Sequence, residues 1–121
     1  MSTVLVIEDS ATEMQVITSC LQRGGLSVQT ATSGEEAFAK ISSQKPDVII
    51  LDVVLPGRSG FELCRDFKGE AGTSKIPVVL CSTKDSEMDK FWGMKQGADA
   101  YITKPIDQEK LLQTVKQFLK G

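Results

Sequence analysis

The 121-residue chain contains no histidine. A Ser-His-Asp triad, an HExxH zinc site and a phosphohistidine are therefore excluded. Cysteine is sparse. Cys20, Cys64 and Cys81 form no CxxC pair, and an odd number of thiols without pairing reads as core packing in a reduced, cytoplasmic protein. No apolar run approaches the ~20 residues that cross a bilayer. Met1-Ser2-Thr3 lacks the charged start of a signal peptide, and the apolar run Val4 to Ile7 is too short for one. An excess of positive charge is also missing. Lys+Arg is 14 against Asp+Glu 16, a net charge of -2, which argues against a nucleic-acid-binding face. Neither GxGxxG nor a P-loop sequence occurs. Gly57-x-x-Gly60 and Gly69-x-x-Gly72 have no basic patch beside them and read as turns.

What is present is the composition of one globular domain spanning 1–121, with 40% hydrophobic and 25% charged residues. Five short apolar runs recur: Val4-Leu5-Val6-Ile7, Val28 to Ala31, Val48-Ile49-Ile50-Leu51, Val78-Val79-Leu80-Cys81 and Ala100-Tyr101-Ile102. The first, third and fourth are continuous and β-branched, as in parallel strands covered on both faces. Val28-Gln29-Thr30-Ala31 is more mixed and suits an edge. Between the runs, helical spacing appears at Met14, Ile17 and Leu21, at Ala37, Phe38 and Ile41, at Leu63 and Phe67, and at Leu111, Val115, Phe118 and Leu119. Ser10-Ala11-Thr12-Glu13 and Ser33-Gly34-Glu35-Glu36 read as capping boxes. Gly24-Gly25 can end the first helix, and Asp107 can cap the last. Lys68 to Lys75 is the longest expected irregular stretch. The β-α alternation predicts an α/β doubly wound parallel sheet with helices on both faces.

In such a sheet, ligands bind beyond the carboxyl ends of the strands. Those ends carry Glu8-Asp9, Asp52, Ser82-Thr83 and, after the fifth strand, Lys104-Pro105. Taken singly, each has a plain reading: helix-starting acids, a turn aspartate before Leu55-Pro56-Gly57, a loop hydroxyl, a surface lysine. Together they bring three carboxylates, a hydroxyl and an ammonium to one edge. Converging carboxylates repel one another and raise each other's pKa, and a hard cation such as Mg²⁺ relieves this. Asp9 and Asp52 suit direct or water-bridged contact with the metal, and Glu8 an outer role. Asp52 is then available as a nucleophile toward phosphorus, with Lys104 and Ser82 for phosphoryl oxygens.

These residues, with Asp52-Val53-Val54-Leu55-Pro56-Gly57-x-x-Gly60, Pro77 to Ser82 and Tyr101-Ile102-Thr103-Lys104-Pro105, resemble the receiver domain of two-component response regulators along the whole chain. The resemblance implies a flavodoxin-like (βα)5 fold with a five-stranded parallel sheet in the order 2-1-3-4-5. It implies Asp52 as phosphoacceptor, and Mg²⁺ held by Glu8, Asp9, Asp52 and the backbone carbonyl of Val54. Ser82 becomes the switch hydroxyl, Lys104 the phosphoryl-contacting lysine and Tyr101 the aromatic switch. Glu8 stands where many receivers have aspartate, and Thr83 where a very small residue is common. Val54 and Lys84 flank the site. Within the family, Ser10 to Met14, Ser82 to Asp85 and Lys90 to Gly93 resemble stand-alone regulators of twitching motility.

The implied partners are a sensor histidine kinase or phosphotransfer domain and a downstream motility protein, with the chain a monomer or weak dimer. A histidine-free chain must take its phosphoryl group from a histidine elsewhere or from a small donor. Phe91, Trp92 and Met94 crowd the fourth helix around Gly93. One or two are expected in the core, with Trp92 exposed for a partner. A phosphatase using an aspartyl-phosphate commonly needs a second aspartate two residues after the nucleophile. Val54 occupies that position, so no enzyme is expected. The rivals to a phosphorylation switch are a phosphate sink and a phosphorylation-independent adaptor.

Overall fold

Strand and helix alternate five times in the computed structural model, which describes residues 2–119. Met1, Lys120 and Gly121, within the expected domain 1–121, lie outside the described residues. The order is β1 Thr3–Ile7, α1 Ala11–Arg23, β2 Ser27–Ala31, α2 Gly34–Ser43, β3 Val48–Asp52, α3 Gly60–Gly69, β4 Val78–Ser82, α4 Glu87–Lys95, β5 Ala100–Thr103 and α5 Gln108–Phe118. All strand pairs are parallel, in the order β2-β1-β3-β4-β5. This is the flavodoxin-like doubly wound sheet, with the half-buried β2 at one edge.

The side-chain alternation of each strand divides the core into two. Leu5, Ile7, Ile49, Leu51, Val78 and Leu80 point to one face and meet Ala37, Ile41, Leu63 and Phe67 of α2 and α3. Val4, Val6, Val48, Ile50, Val79 and Cys81 point to the other and meet Ile17, Cys20, Leu21, Leu111 and Val115 of α1 and α5. Burial of each large aliphatic side chain contributes about 1.5–3 kcal/mol. With both faces covered, β1, β3 and β4 have no exposed residue, which explains their uninterrupted apolar runs. The three cysteines are free and buried, and burial pushes the Cys64 thiol up to about 11 and the Cys81 thiol up to about 12.

Helix starts agree with the sequence in position but differ in chemistry. The Ser10 and Ser33 hydroxyls accept from the N–H groups of Glu13 and Glu36. Neither glutamate completes the box. Glu36 reaches past Ser33 to the Thr32 N–H, and the Ser10 N–H donates instead to Glu8. The reciprocal box is found at α4, between Ser86 and Asp89. Gly24 caps α1, with Gly25 at φ 87°, and Asp107 caps α5. The irregular stretch is displaced by two residues from Lys68–Lys75 to 70–77, because α3 runs on to Gly69 and β4 begins at Val78.

The expectation that one or two of Phe91, Trp92 and Met94 enter the core is overturned. All three are exposed, and the only buried residue of α4 is Gly93. A Cβ at Gly93 would lie 2.8 Å from Leu80 Cδ1 and 3.0 Å from Tyr101 Cδ2. The missing side chain lets α4 rest directly on β4 and β5, which turns the bulky residues outward.

Candidate functional site

The order 2-1-3-4-5 reverses its winding between β1 and β3, which opens a crevice at their carboxyl ends. Glu8 and Asp9 follow β1 there, and Asp52 ends β3. A carboxylate oxygen from each of these three lies within 4.8 Å of the others. Glu8 and Asp52 are buried, whereas Asp9 is exposed. The Glu8 N–H is tied to the Ala31 carbonyl of β2, and the Asp52 Oδ1 accepts from the Val54 N–H at 3.3 Å.

Lys104 enters from beyond β5. Its N–H donates to the Ser82 carbonyl at the end of β4. Its Nζ lies 2.6 Å from Glu8 Oε1, 3.4 Å from Glu13 Oε2 and 3.6 Å from Asp52 Oδ2. Burial alone would pull this ammonium down, but Glu8, Asp52 and Glu13 together hold it above its ordinary value. Asp52 is pushed up to about 6, chiefly by burial and further by the Glu8 charge, with Lys104 and the Val54 N–H opposing. One ammonium thus faces several carboxylates, and the site keeps an excess of negative charge.

Ser82 is buried, and its Oγ accepts from the Lys84 N–H at 3.1 Å. Accepting through a lone pair leaves its own proton available to a further acceptor. The Lys84 carbonyl accepts from the Tyr101 hydroxyl at 2.6 Å. Tyr101 packs beside Gly93, and burial raises its phenol above the ordinary value. Lys84 also lines a groove of about 490 Å³ with Val54, Leu55 and Phe61.

α3 closes the site from below. Its first residue, Gly60, donates its N–H to the Val53 carbonyl at 2.7 Å, and a Cβ there would stand 2.1 Å from the Asp52 carbonyl oxygen. Only glycine permits this approach.

Glu8, Asp9, Asp52 and Lys104 therefore converge as the strand ends predict, with Ser82 and the Val54 backbone adjoining. Trp92 stands apart, on the outer face of α4. Glu13 has the sequence position of a helix cap but turns to Lys104 instead. Its place in the first turn of α1, four residues after Asp9, is the signal that could have found it. The grouped carboxylate oxygens are hard donors of the kind Mg²⁺ prefers, and their uncompensated charge fits a divalent cation.

The model of the response regulator receiver domain family matches residues 4–116. The chain belongs to the response regulator receiver family. Among its relatives is Protein PilH of Pseudomonas aeruginosa, 44% identical over the full length of both chains. The alkaline phosphatase synthesis transcriptional regulatory protein PhoP of Bacillus subtilis is 37% identical over 97% of this chain, which spans 48% of that protein. A putative response regulator from Chloroflexus aurantiacus superposes with a TM-score of 0.93 at 32% identity, covering 98% of this chain and 97% of that one. Chemotaxis protein CheY4 of Vibrio cholerae gives 0.90 at 34% identity, with 98% of each chain covered. Receiver domains are signalling proteins that bind Mg²⁺ at an acidic pocket, and Glu8, Asp9 and Asp52 form a carboxylate cluster in this chain. No helix among its described residues is long and apolar enough to cross a membrane.

Proposed function

We propose that this receiver takes a phosphoryl group onto Asp52 from a phosphohistidine of a sensor kinase or phosphotransfer domain, or from a small phosphodonor, and signals through its own surface. The observation that carries this reading is the meeting of Asp52 with Glu8, Asp9 and Lys104 at one crevice. An Asp52 carboxylate oxygen bonds to phosphorus as the bond between phosphorus and the donor breaks, and the electron pair leaves with the donor. With its pKa pushed up to about 6, Asp52 is still largely ionised at neutral pH and competent to attack. Lys104 Nζ balances charge on a phosphoryl oxygen, and the Ser82 hydroxyl donates to another. Glu8, Asp9, Asp52 and the Val54 carbonyl would hold Mg²⁺. When bound, the ion supplies charge neutralisation between the carboxylates and the incoming phosphoryl group.

The output follows from hydrogen bonds already in place. Drawing the Ser82 hydroxyl toward a phosphoryl group disturbs its bond to the Lys84 N–H, and the Lys84 carbonyl carries the change to Tyr101. The surface of α4, β5 and α5 then shifts between two populations, and partner affinity shifts with it. Trp92 is the contact residue of that surface. Full-length similarity to PilH supports a motility pathway, with a cytoplasmic protein acting on a motility partner without nucleic-acid contact. The experiment is incubation with Mg²⁺ and acetyl phosphate, followed by intact-mass measurement and peptide mapping. One phosphoryl group at Asp52 is expected, and none in Asp52→Asn. Full labelling of Asp52→Asn would overturn the assignment.

A further inference from the structure

Glu13 stands outside the carboxylate cluster yet shares its lysine. The cluster that could hold a cation comprises Glu8, Asp9 and Asp52. Glu13 Oε2 lies 3.4 Å from Lys104 Nζ, and among the described residues Lys104 is the only cation paired with Glu8, Glu13 or Asp52. The Glu13 N–H donates to the Ser10 hydroxyl, which fixes its backbone in the first turn of α1. Its side chain is 35% exposed, against 2% for Glu8 and 8% for Asp52. Of the three carboxylates paired with Lys104, Glu13 is the one that solvent reaches. In-line transfer to the buried Asp52 sends the leaving group the opposite way, toward solvent. An ordinary hydrogen bond of ~2.9 Å from Lys104 to a phosphoryl oxygen would keep that oxygen within about 6.5 Å of Glu13, inside the ~10 Å over which charges interact in ~0.1 M salt. A phosphoryl oxygen that draws Lys104 also takes away the ammonium paired with Glu13, so the Glu13 charge is least compensated while the leaving group departs.

We infer that Glu13 selects the phosphodonor by the charge of its leaving group, favouring a protonated nitrogen base over an acyl oxygen. The inference rests on Asp52 as the phosphoacceptor. In both cases an Asp52 carboxylate oxygen forms the new bond to phosphorus. In a phosphoimidazole or a phosphohistidine, the ring nitrogen without phosphorus carries a proton, and the ring bears positive charge. As the phosphorus–nitrogen bond breaks, its electron pair returns to the ring and a neutral imidazole leaves. In an acyl phosphate the phosphorus–oxygen bond breaks, the pair goes to oxygen and a carboxylate anion leaves. The Glu13 carboxylate attracts the first leaving group and repels the second.

The test compares rates of labelling at Asp52, with Mg²⁺ present, by acetyl phosphate and by phosphoimidazole. The parent, Glu13→Gln and Glu13→Asp are followed by intact mass, and circular dichroism checks that both variants are folded. In Glu13→Gln, labelling by acetyl phosphate should rise about fivefold while labelling by phosphoimidazole stays level or falls, so the ratio of the two rates shifts by about threefold or more. Glu13→Asp keeps the charge and should keep the parent's ratio. A role for Glu13 in placing Lys104 alone would change both donors alike. An equal change with both donors in Glu13→Gln, or a ratio in Glu13→Asp that follows Glu13→Gln, would overturn the inference and leave Asp52 as phosphoacceptor. No label from either donor on any of the three proteins would overturn the phosphoacceptor reading and this inference with it.

Discussion

The Lys104 ammonium lies 2.6 Å from Glu8 Oε1 but 3.6 Å from Asp52 Oδ2, so its direct bond is to the glutamate. Removing it leaves Glu8 buried beside Asp52 with no cation between them. Lys104→Met is therefore expected to lose about 2–4 kcal/mol of stability at pH 8. The loss should shrink at pH 5, below the value of about 6 to which Asp52 is pushed, where that carboxyl takes up a proton. Urea unfolding at the two pH values checks this, and an equal loss at both would count against it.

Asp52 supplies the opposite effect. Its folded pKa is raised from 3.8 to about 6, so the folded state holds the proton more tightly than the unfolded chain does. Stability from this group is full below pH 3.8 and is lost as pH rises through about 6. Asp52→Asn removes that loss and is expected to stabilise the fold by about 1–3 kcal/mol at pH 7.5, with little effect at pH 4. Parallel stability curves for the two proteins would refute the account.

Gly60 and Gly69 begin and end the same helix but differ in surroundings. A Cβ at Gly60 meets the Asp52 carbonyl at 2.1 Å, whereas one at Gly69 meets nothing within 4 Å. Gly60→Ala is expected to cost about 2–4 kcal/mol and to slow the proposed phosphorylation, because the backbone at Asp52 must move. Gly69→Ala should be neutral or stabilising by up to about 1 kcal/mol. Thermal unfolding of both variants gives the comparison.

Glu13 adds a negative charge 3.4 Å from Lys104 Nζ, and an anionic phosphodonor would be repelled by it. Glu13→Gln keeps the shape and removes the charge. Phosphorylation by acetyl phosphate should become about fivefold faster, the effect of roughly 1 kcal/mol of relieved repulsion. Raised ionic strength should narrow the difference between the two proteins. A variant slower than its parent would show that Glu13 acts by placing Lys104.

Most of the fold was legible because both-face burial leaves an unbroken apolar run, as at Val48 to Leu51 and Val78 to Cys81. The site was legible for a related reason. The carboxyl ends of parallel strands share an edge, so Glu8, Asp9, Asp52, Ser82 and Lys104 could be grouped from their places at the ends of the apolar runs. Side-chain direction within a first helical turn was not. Glu13 and Glu36 fit a capping pattern, but Glu13 found the Lys104 ammonium and Glu36 the Thr32 N–H. α4 misled for another reason. Hydrophobicity ordinarily marks the buried face, yet here the smallest residue, Gly93, makes the contact and the largest ones are turned out.

The peptide of Lys84 is gripped at both ends, its N–H by Ser82 and its carbonyl by Tyr101. The clasp uses nothing of the lysine side chain. Position 84 can therefore drift among almost all residue types without loosening the link between hydroxyl and aromatic ring, with proline, which has no N–H, the exception. Variation there is free to reshape the neighbouring groove while the wiring beneath it stays intact.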